Sequence, residues 1–245
     1  MTTYAIASRD MWLEARRDLL AAEKDLTRRA DEVTRLRQAL PWVRVEKVYV
    51  FEGSQGPLKL GDLFGGRSQL IVQHFMLAAG WEAGCKSCSY MADHTDSMTL
   101  HLAHRDTAMV AISRAPFAEI ERFRKRMGWN FSWVSSHGND FNRDYGVSFT
   151  PEQVANRELN YNFGKPAFAD ELPGVSVFAK DEKGTVFHTY STYGRGVEVM
   201  MGTYRMLDLT PKGRDEHGGN MGWVRHHDSY EPLTTNAASC CTKHG

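Results

Sequence analysis

Two cysteines three positions apart, Cys85 and Cys88, are the residues of this sequence with the clearest chemical potential. A thiolate is a nucleophile, and two thiols at this spacing can close a disulfide within one helical turn. The pair follows an apolar run of strand length and opens a helical pattern, where unpaired N–H groups and the helix dipole stabilise a thiolate. We therefore predict that Cys85 is the nucleophile and that Cys88, on the same helix face, is the resolving thiol.

Two cysteines at this spacing can also supply two of the ligands of a metal ion, so other interpretations stay open. Cys85 and Cys88 could bind copper or zinc together with a distal histidine such as His188, since soft thiolates select Cu(I) and imidazole completes such a site. The pair could also be chemically inert. A structural zinc site would need further ligands, and the sequence offers only Cys240, Cys241 and His244, or His226 and His227, near its end.

Polar and aromatic residues elsewhere in the sequence are candidates for a substrate pocket around the thiols. Some flank the cysteines or end the preceding strand, and others lie in the dense polar segment HTYSTYGRG, residues 188–196. The predicted substrate-binding residues are His74, Trp81, Lys86, Pro173, His188, Tyr190, Tyr193 and Arg195. A further hypothesis is an enzyme for a small organic molecule, whose pocket would be formed by Tyr190, Tyr193, Arg195, Asn139, Asp140 and Asn142.

The composition is that of an ordinary globular protein. Of 245 residues, 42% are hydrophobic and 24% are charged, which is enough to bury a sizeable core. The 30 Lys and Arg residues balance 30 Asp and Glu residues, so nucleic acid is not an expected partner. No stretch resembles a secretory signal or approaches about 20 apolar residues, so neither secretion nor a membrane span is expected. We expect a cytoplasmic protein.

The hydrophobic pattern predicts a long helix and then alternating strands and helices. Apolar residues at helical spacing between residues 8 and 40 predict a mostly exposed helix, which could mediate a homodimer. After a hairpin come strand, helix, strand, helix and strand, then an insertion at about residues 135–172, a second hairpin and a last helix. Alternating β-α-β units imply parallel strands and the late hairpin adds antiparallel ones, so the sheet is mixed. The predicted parts are a helical extension (1–40), one domain (41–232) and a flexible tail (233–245).

Nearly the whole chain is also similar in sequence to one known family. The matching segments include GCKSCSYMAD (84–93), DLFGGRSQLIVQHFM (62–76), PGVSVF (173–178), FHTYSTYGRG (187–196) and WVRHHDSY (223–230). Through these segments the chain resembles the thioredoxin-like family known as domain of unknown function 899.

The resemblance and the element order imply the same fold. The fold is a three-layer α/β thioredoxin-like one with a mixed central sheet and a peroxiredoxin-style N-terminal hairpin. In such folds a cis-proline faces the dithiol, and Pro173 lies at roughly that place. Lys86 stands where many relatives carry proline, in a position that tunes the thiolate. The placement of the cysteine pair at a strand end and helix start predicts a thiol–disulfide oxidoreductase acting on a disulfide, a peroxide or another small molecule, or on a protein disulfide, and no cofactor is expected.

Overall fold

The computed structural model describes residues 5–158, 160–217 and 219–232. It divides the chain into two units, Met1–Trp42 and Val43–Gly245. The predicted tail, with Cys240, Cys241 and His244, lies outside the described residues. No helix of the described part is long and apolar enough to cross a membrane.

One long helix, α1 (Arg9–Gln38), forms most of the first unit, as its apolar spacing predicts. The helix begins after Ser8, whose hydroxyl oxygen accepts a hydrogen bond from the backbone N–H of Met11 at 3.3 Å and caps the first turn. Within the described part of the chain, α1 has no buried residue. Its exposed apolar side chains include Met11, Trp12, Leu19, Leu20, Leu26 and Leu36.

The second unit is organised around a mixed sheet, which contains eight strands in the described residues. The strands are β1 (Val43–Arg44), β2 (Val50–Gly53), β3 (Gly56–Lys59), β4 (Gln69–His74), β5 (Thr107–Ser113), β6 (Ser132–Ser135), β7 (Gly174–Lys180) and β8 (Val186–Tyr193). Their order across the sheet is β1-β8-β7-β4-β5-β6-β2-β3. Strands β4, β5 and β6 are parallel, and β7 and β8 add an antiparallel hairpin. The predicted mixed sheet is confirmed.

Helices connect the parallel strands. The helices of this unit are α2 (Lys86–Ala103), α3 (Phe117–Met127), α4 (Phe141–Asp144), α5 (Pro151–Ala155) and α6 (Gly202–Leu207), with 3-10 turns at Asp62–Phe64, Gly194–Met200 and His227–Ser229. Parallel strands require such crossovers, and α2 and α3 supply them between β4, β5 and β6. The cysteine pair therefore lies where β4 leads into α2.

The two faces of the sheet have separate cores because successive strand side chains point to opposite faces. On one face, Leu70 and Val72 of β4 pack with aromatic residues that include Phe141. On the other face, α2 and α3 pack against the sheet through Cys88 and Phe123, among others. The three-layer arrangement predicted for the fold is confirmed, and short elements rather than long helices form the layer opposite α2.

Two details differ from the expected element pattern. The valine-rich stretch before the first hairpin is not one strand, because β1 pairs with β8 at the far edge while β2 pairs with β6. The expected last helix is split into the 3-10 turn Gly194–Met200 and α6, since Met201 between them has non-helical backbone angles (φ −105°, ψ 75°). Apolar spacing alone does not distinguish these turns from one continuous helix.

Candidate functional site

Cys85 occupies the capping position immediately before α2. Its backbone N–H donates to the carbonyl of Met76 at 3.0 Å, and its own carbonyl accepts from both the N–H and the hydroxyl of Ser89 at 2.9 Å. These bonds join the end of β4 to the first turn of the helix. The thiol is thus held at the helix N-terminus, the position that the sequence predicts for it.

The residue before Cys85 is a glycine whose neighbours leave no room for a side chain unless they shift. A Cβ at Gly84 would lie 2.5 Å from Cε1 of Phe75 and 2.8 Å from Cε1 of Phe123, both of which are buried. The Gly84 carbonyl accepts a hydrogen bond from Nε2 of buried His226 at 2.8 Å. Packing and this bond together fix the loop that carries the first cysteine.

The two thiols lie in unlike surroundings. Cys88 is completely buried and Cys85 is half-buried, and both are free thiols. The Cys88 sulfur accepts a hydrogen bond from the backbone N–H of Met76 at 3.5 Å. Behind it, the side-chain amide of Gln73 donates to the Cys88 carbonyl at 3.1 Å. The accessible thiol is therefore Cys85, while Cys88 is supported from the sheet side.

Hydrogen bonding shifts the two thiol pKa values in opposite directions. The pKa of Cys85 is lowered to about 6, mainly because the Cys88 thiol donates to its sulfur, with further donors at the Cys88 and Ser87 backbone and the Ser87 side chain. Burial opposes this shift. The pKa of Cys88 is raised by the same hydrogen bond and by burial. Near neutral pH, Cys85 is mostly a thiolate and Cys88 a thiol.

Cys85 lines a cleft of about 430 Å³. Pro173 and Arg195, two of the predicted substrate-binding residues, line the same cleft. The Arg195 guanidinium pairs with the Glu198 carboxylate (Nε to Oε1, 2.7 Å), and Nη2 of Arg214 approaches the other oxygen at 3.2 Å. These contacts lower the pKa of Glu198, with Arg195 as the main cause.

The structure corrects one expectation about Pro173. Its position on the cleft of Cys85 agrees with the sequence-based placement, but none of the peptide bonds in residues 5–158, 160–217 and 219–232 is cis. The expected cis-proline is therefore wrong for this chain. Gly174, which follows, packs closely against the ring of Tyr193, whose Cδ1 would lie 2.7 Å from an added Cβ.

Several other candidates lie away from the cleft. Lys86 is exposed, and Tyr193 is buried with its hydroxyl donating to the Tyr145 carbonyl at 2.9 Å. Trp81 lines a second cavity of about 450 Å³ together with Arg114. The same cavity includes Asn139 and Asp140, while Tyr190 lies half-buried on β8 and Asn142 is buried with its Oδ1 accepting from Ser136.

His74 and His188 belong to a hydrogen-bonded chain across β4, β7 and β8. Nε2 of His74 bonds to the Ser176 hydroxyl at 2.8 Å, which bonds to the Ser191 hydroxyl at 2.8 Å, and Nε2 of His188 bonds to that hydroxyl at 2.7 Å. The His74 ring lies near Phe141, on the face opposite α2. Burial lowers the pKa of both imidazoles, that of His74 to about 3.

This placement removes His188 as a metal ligand beside the thiols. Within the described residues, no three His, Cys, Asp or Glu side chains form a group that could hold a metal ion. Cys85, Cys88 and His188 therefore do not form the site that the metal-binding alternative requires. His226, another candidate ligand, is engaged with the Gly84 carbonyl.

Two residues near the site were not predicted. One is Gln73, which braces Cys88. The other is Glu171, which is buried, is paired with Arg114 and accepts from the Ser148 hydroxyl at 2.8 Å. Its pKa is raised by burial. Gln73 is a polar residue within an apolar strand pattern, so the sequence could have identified it as a buried amide. Glu171 lies in the irregular insertion, where no apolar periodicity indicates which side chains are buried.

The arrangement of a β-α-β unit, an antiparallel hairpin and a cysteine pair at the start of the first crossover helix defines a thioredoxin-like protein. The chain belongs to a family of bacterial proteins of unknown function, DUF899, whose sequence model matches residues 1–230. No curated protein matches the sequence.

Solved structures with a similar fold share little sequence with this chain. The peroxidoxin BcpB of Mycobacterium tuberculosis is 14% identical, with 68% of this chain and 96% of that chain covered and a TM-score of 0.45. A putative thiol:disulfide interchange protein DsbE from Chlorobium tepidum is 16% identical, with 69% and 98% covered and a TM-score of 0.40. A cysteine-to-serine mutant of the peroxiredoxin 6 of Arenicola marina is 12% identical, with 71% and 77% covered and a TM-score of 0.42.

Proposed function

We propose that this protein is a thiol–disulfide oxidoreductase in which Cys85 is the nucleophile and Cys88 the resolving thiol. One observation carries the proposal: a half-buried thiol at a helix start opens onto a cleft, and a fully buried thiol follows it three residues later on the first turn of the same helix. The lowering of the Cys85 pKa to about 6 supports it. A nucleophilic thiol works best when its pKa is near the ambient pH. Cys85 meets that condition, and Cys88 stays protonated until it is needed.

The reaction proceeds in two exchange steps. The Cys85 thiolate attacks one sulfur of a substrate disulfide, forms a mixed disulfide and releases the other sulfur as a thiolate. Cys88 then gives its proton to the released substrate thiolate, and its sulfur attacks that of Cys85, which closes the Cys85–Cys88 disulfide and releases the second substrate thiolate. The protein dithiol loses two electrons and the substrate disulfide gains them. A cellular dithiol returns the protein to its reduced state.

The surrounding structure suits these steps. Hydrogen bonds at Met76 and Ser89 hold the first turn of α2, so the nucleophile keeps its place as the charge on its sulfur changes. Gln73 and the Met76 N–H hold Cys88 within reach of Cys85. We place the protein in the cytoplasm, where thiol systems keep such pairs reduced.

Cysteine variants test the assignment of roles. In a chain whose Cys240 and Cys241 are replaced by serine, Cys88→Ser should accumulate a mixed disulfide at Cys85 when a disulfide substrate is added. Cys85→Ser should form no such adduct, because the remaining thiol is buried and protonated. Intact-mass spectrometry measures both. An adduct on Cys88 in the Cys85→Ser chain, at the rate seen for Cys85, would reverse the assignment.

A further inference from the structure

Four methionines line the cleft at Cys85. Met76, Met91, Met201 and Met221 all contribute to its wall, although they come from four separate parts of the described chain. Thioether side chains are apolar, polarisable and flexible, and they adapt to ligands of irregular shape. Leu172 and Val197 add further apolar surface to the cleft.

Apart from the Cys85 thiolate, the charged side chains that line the cleft are Arg195 and Glu198, and they neutralise each other. Arg195 and Glu198 are hydrogen-bonded at 2.7 Å, and Arg214 adds a second cation on Glu198 at 3.2 Å and bonds to Asp208 at 2.8 Å. Two cations, Arg195 and Arg214, thus face two anions, Glu198 and Asp208, so these side chains give the cleft no excess charge that would attract an ionic substrate. The cleft therefore favours an uncharged ligand.

The methionines also distinguish between oxidants. A hydroperoxide converts methionine to its sulfoxide, which is polar and disrupts apolar contacts. A cleft with four methionines around its nucleophile would be damaged by that substrate, whereas a disulfide exchanges with thiols and leaves thioethers unchanged. A cavity of about 430 Å³ also has the size of a small-molecule site.

We propose that the cleft binds a small, uncharged, apolar organic disulfide, which Cys85 attacks. This rests on the proposed dithiol function. The Cys85 thiolate forms a bond to one substrate sulfur and releases the other as a thiolate. Attack by Cys88 then releases the second, so that one disulfide becomes two thiols as the protein dithiol becomes a disulfide.

An exposed aromatic residue at the cleft provides a specific test. Phe168 lines the cleft and keeps 74% of its surface exposed, so a bound apolar ligand would cover it. Phe163 lies in the same insertion with 84% exposed, and it is not among the residues that line the cleft. Replacing each by serine removes the same exposed ring, but only one of the two changes alters the cleft.

The experiment measures single-turnover oxidation of the reduced full-length protein. Its Cys240 and Cys241 are replaced by serine. The probes are dithiodipyridine, which is neutral and aromatic, and dithiobis(nitrobenzoate), which carries two carboxylates. Each rate is divided by the rate of mercaptoethanol with the same probe, and mass spectrometry confirms the Cys85–Cys88 disulfide. Cumene hydroperoxide is tested in parallel for methionine oxidation.

We expect the normalised rate with the neutral probe to exceed that with the charged probe by about tenfold. A tenfold ratio corresponds to a difference of about 1.4 kcal/mol in free energy. Phe168→Ser should lower the neutral rate severalfold, and Phe163→Ser should leave it unchanged. Equal normalised rates, a faster charged probe, an effect of Phe163→Ser as large as that of Phe168→Ser, or peroxide turnover with intact methionines would overturn the substrate class. Failure of both probes to form the Cys85–Cys88 disulfide would instead overturn the dithiol function itself.

Discussion

Cys85 caps α2 and Cys88 is buried on the first turn of that helix, and hydrogen bonding from the Cys88 thiol is the largest cause of the low Cys85 pKa. The helix start adds backbone donors from Ser87 and Cys88 to the same sulfur. Because burial acts against the thiolate, these donors decide whether Cys85 is reactive at neutral pH. In the proposed reaction, Cys88 would therefore have two roles, to activate Cys85 and to resolve the mixed disulfide.

This relationship predicts how alkylation depends on pH. Iodoacetamide should modify Cys85 faster than Cys88 near pH 7, with a midpoint at a pH of about 6, as measured on separate peptides by mass spectrometry. Cys88→Ala removes the donor and should move the midpoint up towards the ordinary thiol range, and Cys88→Ser, which keeps a hydroxyl donor, should move it less. A midpoint that Cys88→Ala leaves unchanged would show that the thiol does not activate its neighbour.

The close packing at Gly84 predicts a stability cost for a single methyl group. Gly84→Ala places a Cβ 2.5 Å from buried Phe75, so the aromatic cluster or the loop must move. We expect a loss of about 1–3 kcal/mol in the free energy of unfolding, the usual range for overpacking. Gly61→Ala is the matched control, because the nearest atom to its Cβ is 3.9 Å away on Val186. Equal urea unfolding midpoints for the two variants would contradict the packing argument.

The buried imidazole of His74 predicts a loss of stability in mild acid. Its pKa is lowered to about 3 in the folded chain, whereas an unfolded histidine has a pKa of about 6.5. Between these values the unfolded state binds more protons, so stability falls as the pH falls through this window. The loss from this one group between pH 7 and pH 5 should be about 2 kcal/mol. His188, whose pKa is also lowered, acts in the same direction.

A variant separates this effect from carboxylate titration. His74→Gln keeps a group that can hydrogen-bond to Ser176 but does not titrate. Urea unfolding at the two pH values should show a smaller acid loss for the variant than for the wild type. If both lose the same free energy, then protonation of His74 is not the cause.

The exposed apolar side chains of α1 support the expected homodimer through this helix, which stays a prediction. Leu26 is 71% exposed, and replacing it by glutamate should shift the protein towards monomer in size-exclusion chromatography with light scattering. Leu209 in the second unit, 79% exposed, is the matched control and should leave the mass unchanged on the same replacement. A monomeric wild-type protein at micromolar concentration would contradict the prediction.

Local features of the sequence predicted much of the site. The change from an apolar strand pattern to helical spacing places Cys85 at a helix start, and the structure puts it in the capping position of α2. A one-turn spacing brings Cys88 onto the same turn. These features depend on neighbouring residues, and the spacing of apolar side chains reports them directly.

Contacts between distant residues were not predictable in the same way. The hydrogen bonds that link His74 and His188 pass through Ser176 and Ser191, which requires the register of β4, β7 and β8. Successive side chains of a strand point to opposite faces of the sheet. Because Gln73 faces the thiols, the next residue, His74, points away from them. The burial of Glu171 likewise depends on how the insertion packs. The pattern of residues in a single sequence does not show which distant strands and loops contact each other.

Mild oxidation of the folded protein tests directly whether Cys85 and Cys88 form a disulfide. The protein, with Cys240 and Cys241 replaced by serine, is treated with diamide and digested with trypsin, which cuts after Lys86 and separates the two cysteines. The account predicts a mass for peptides joined through Cys85 and Cys88, which dithiothreitol converts back to two free thiols. Two free thiols that persist after oxidation of the folded protein would contradict it.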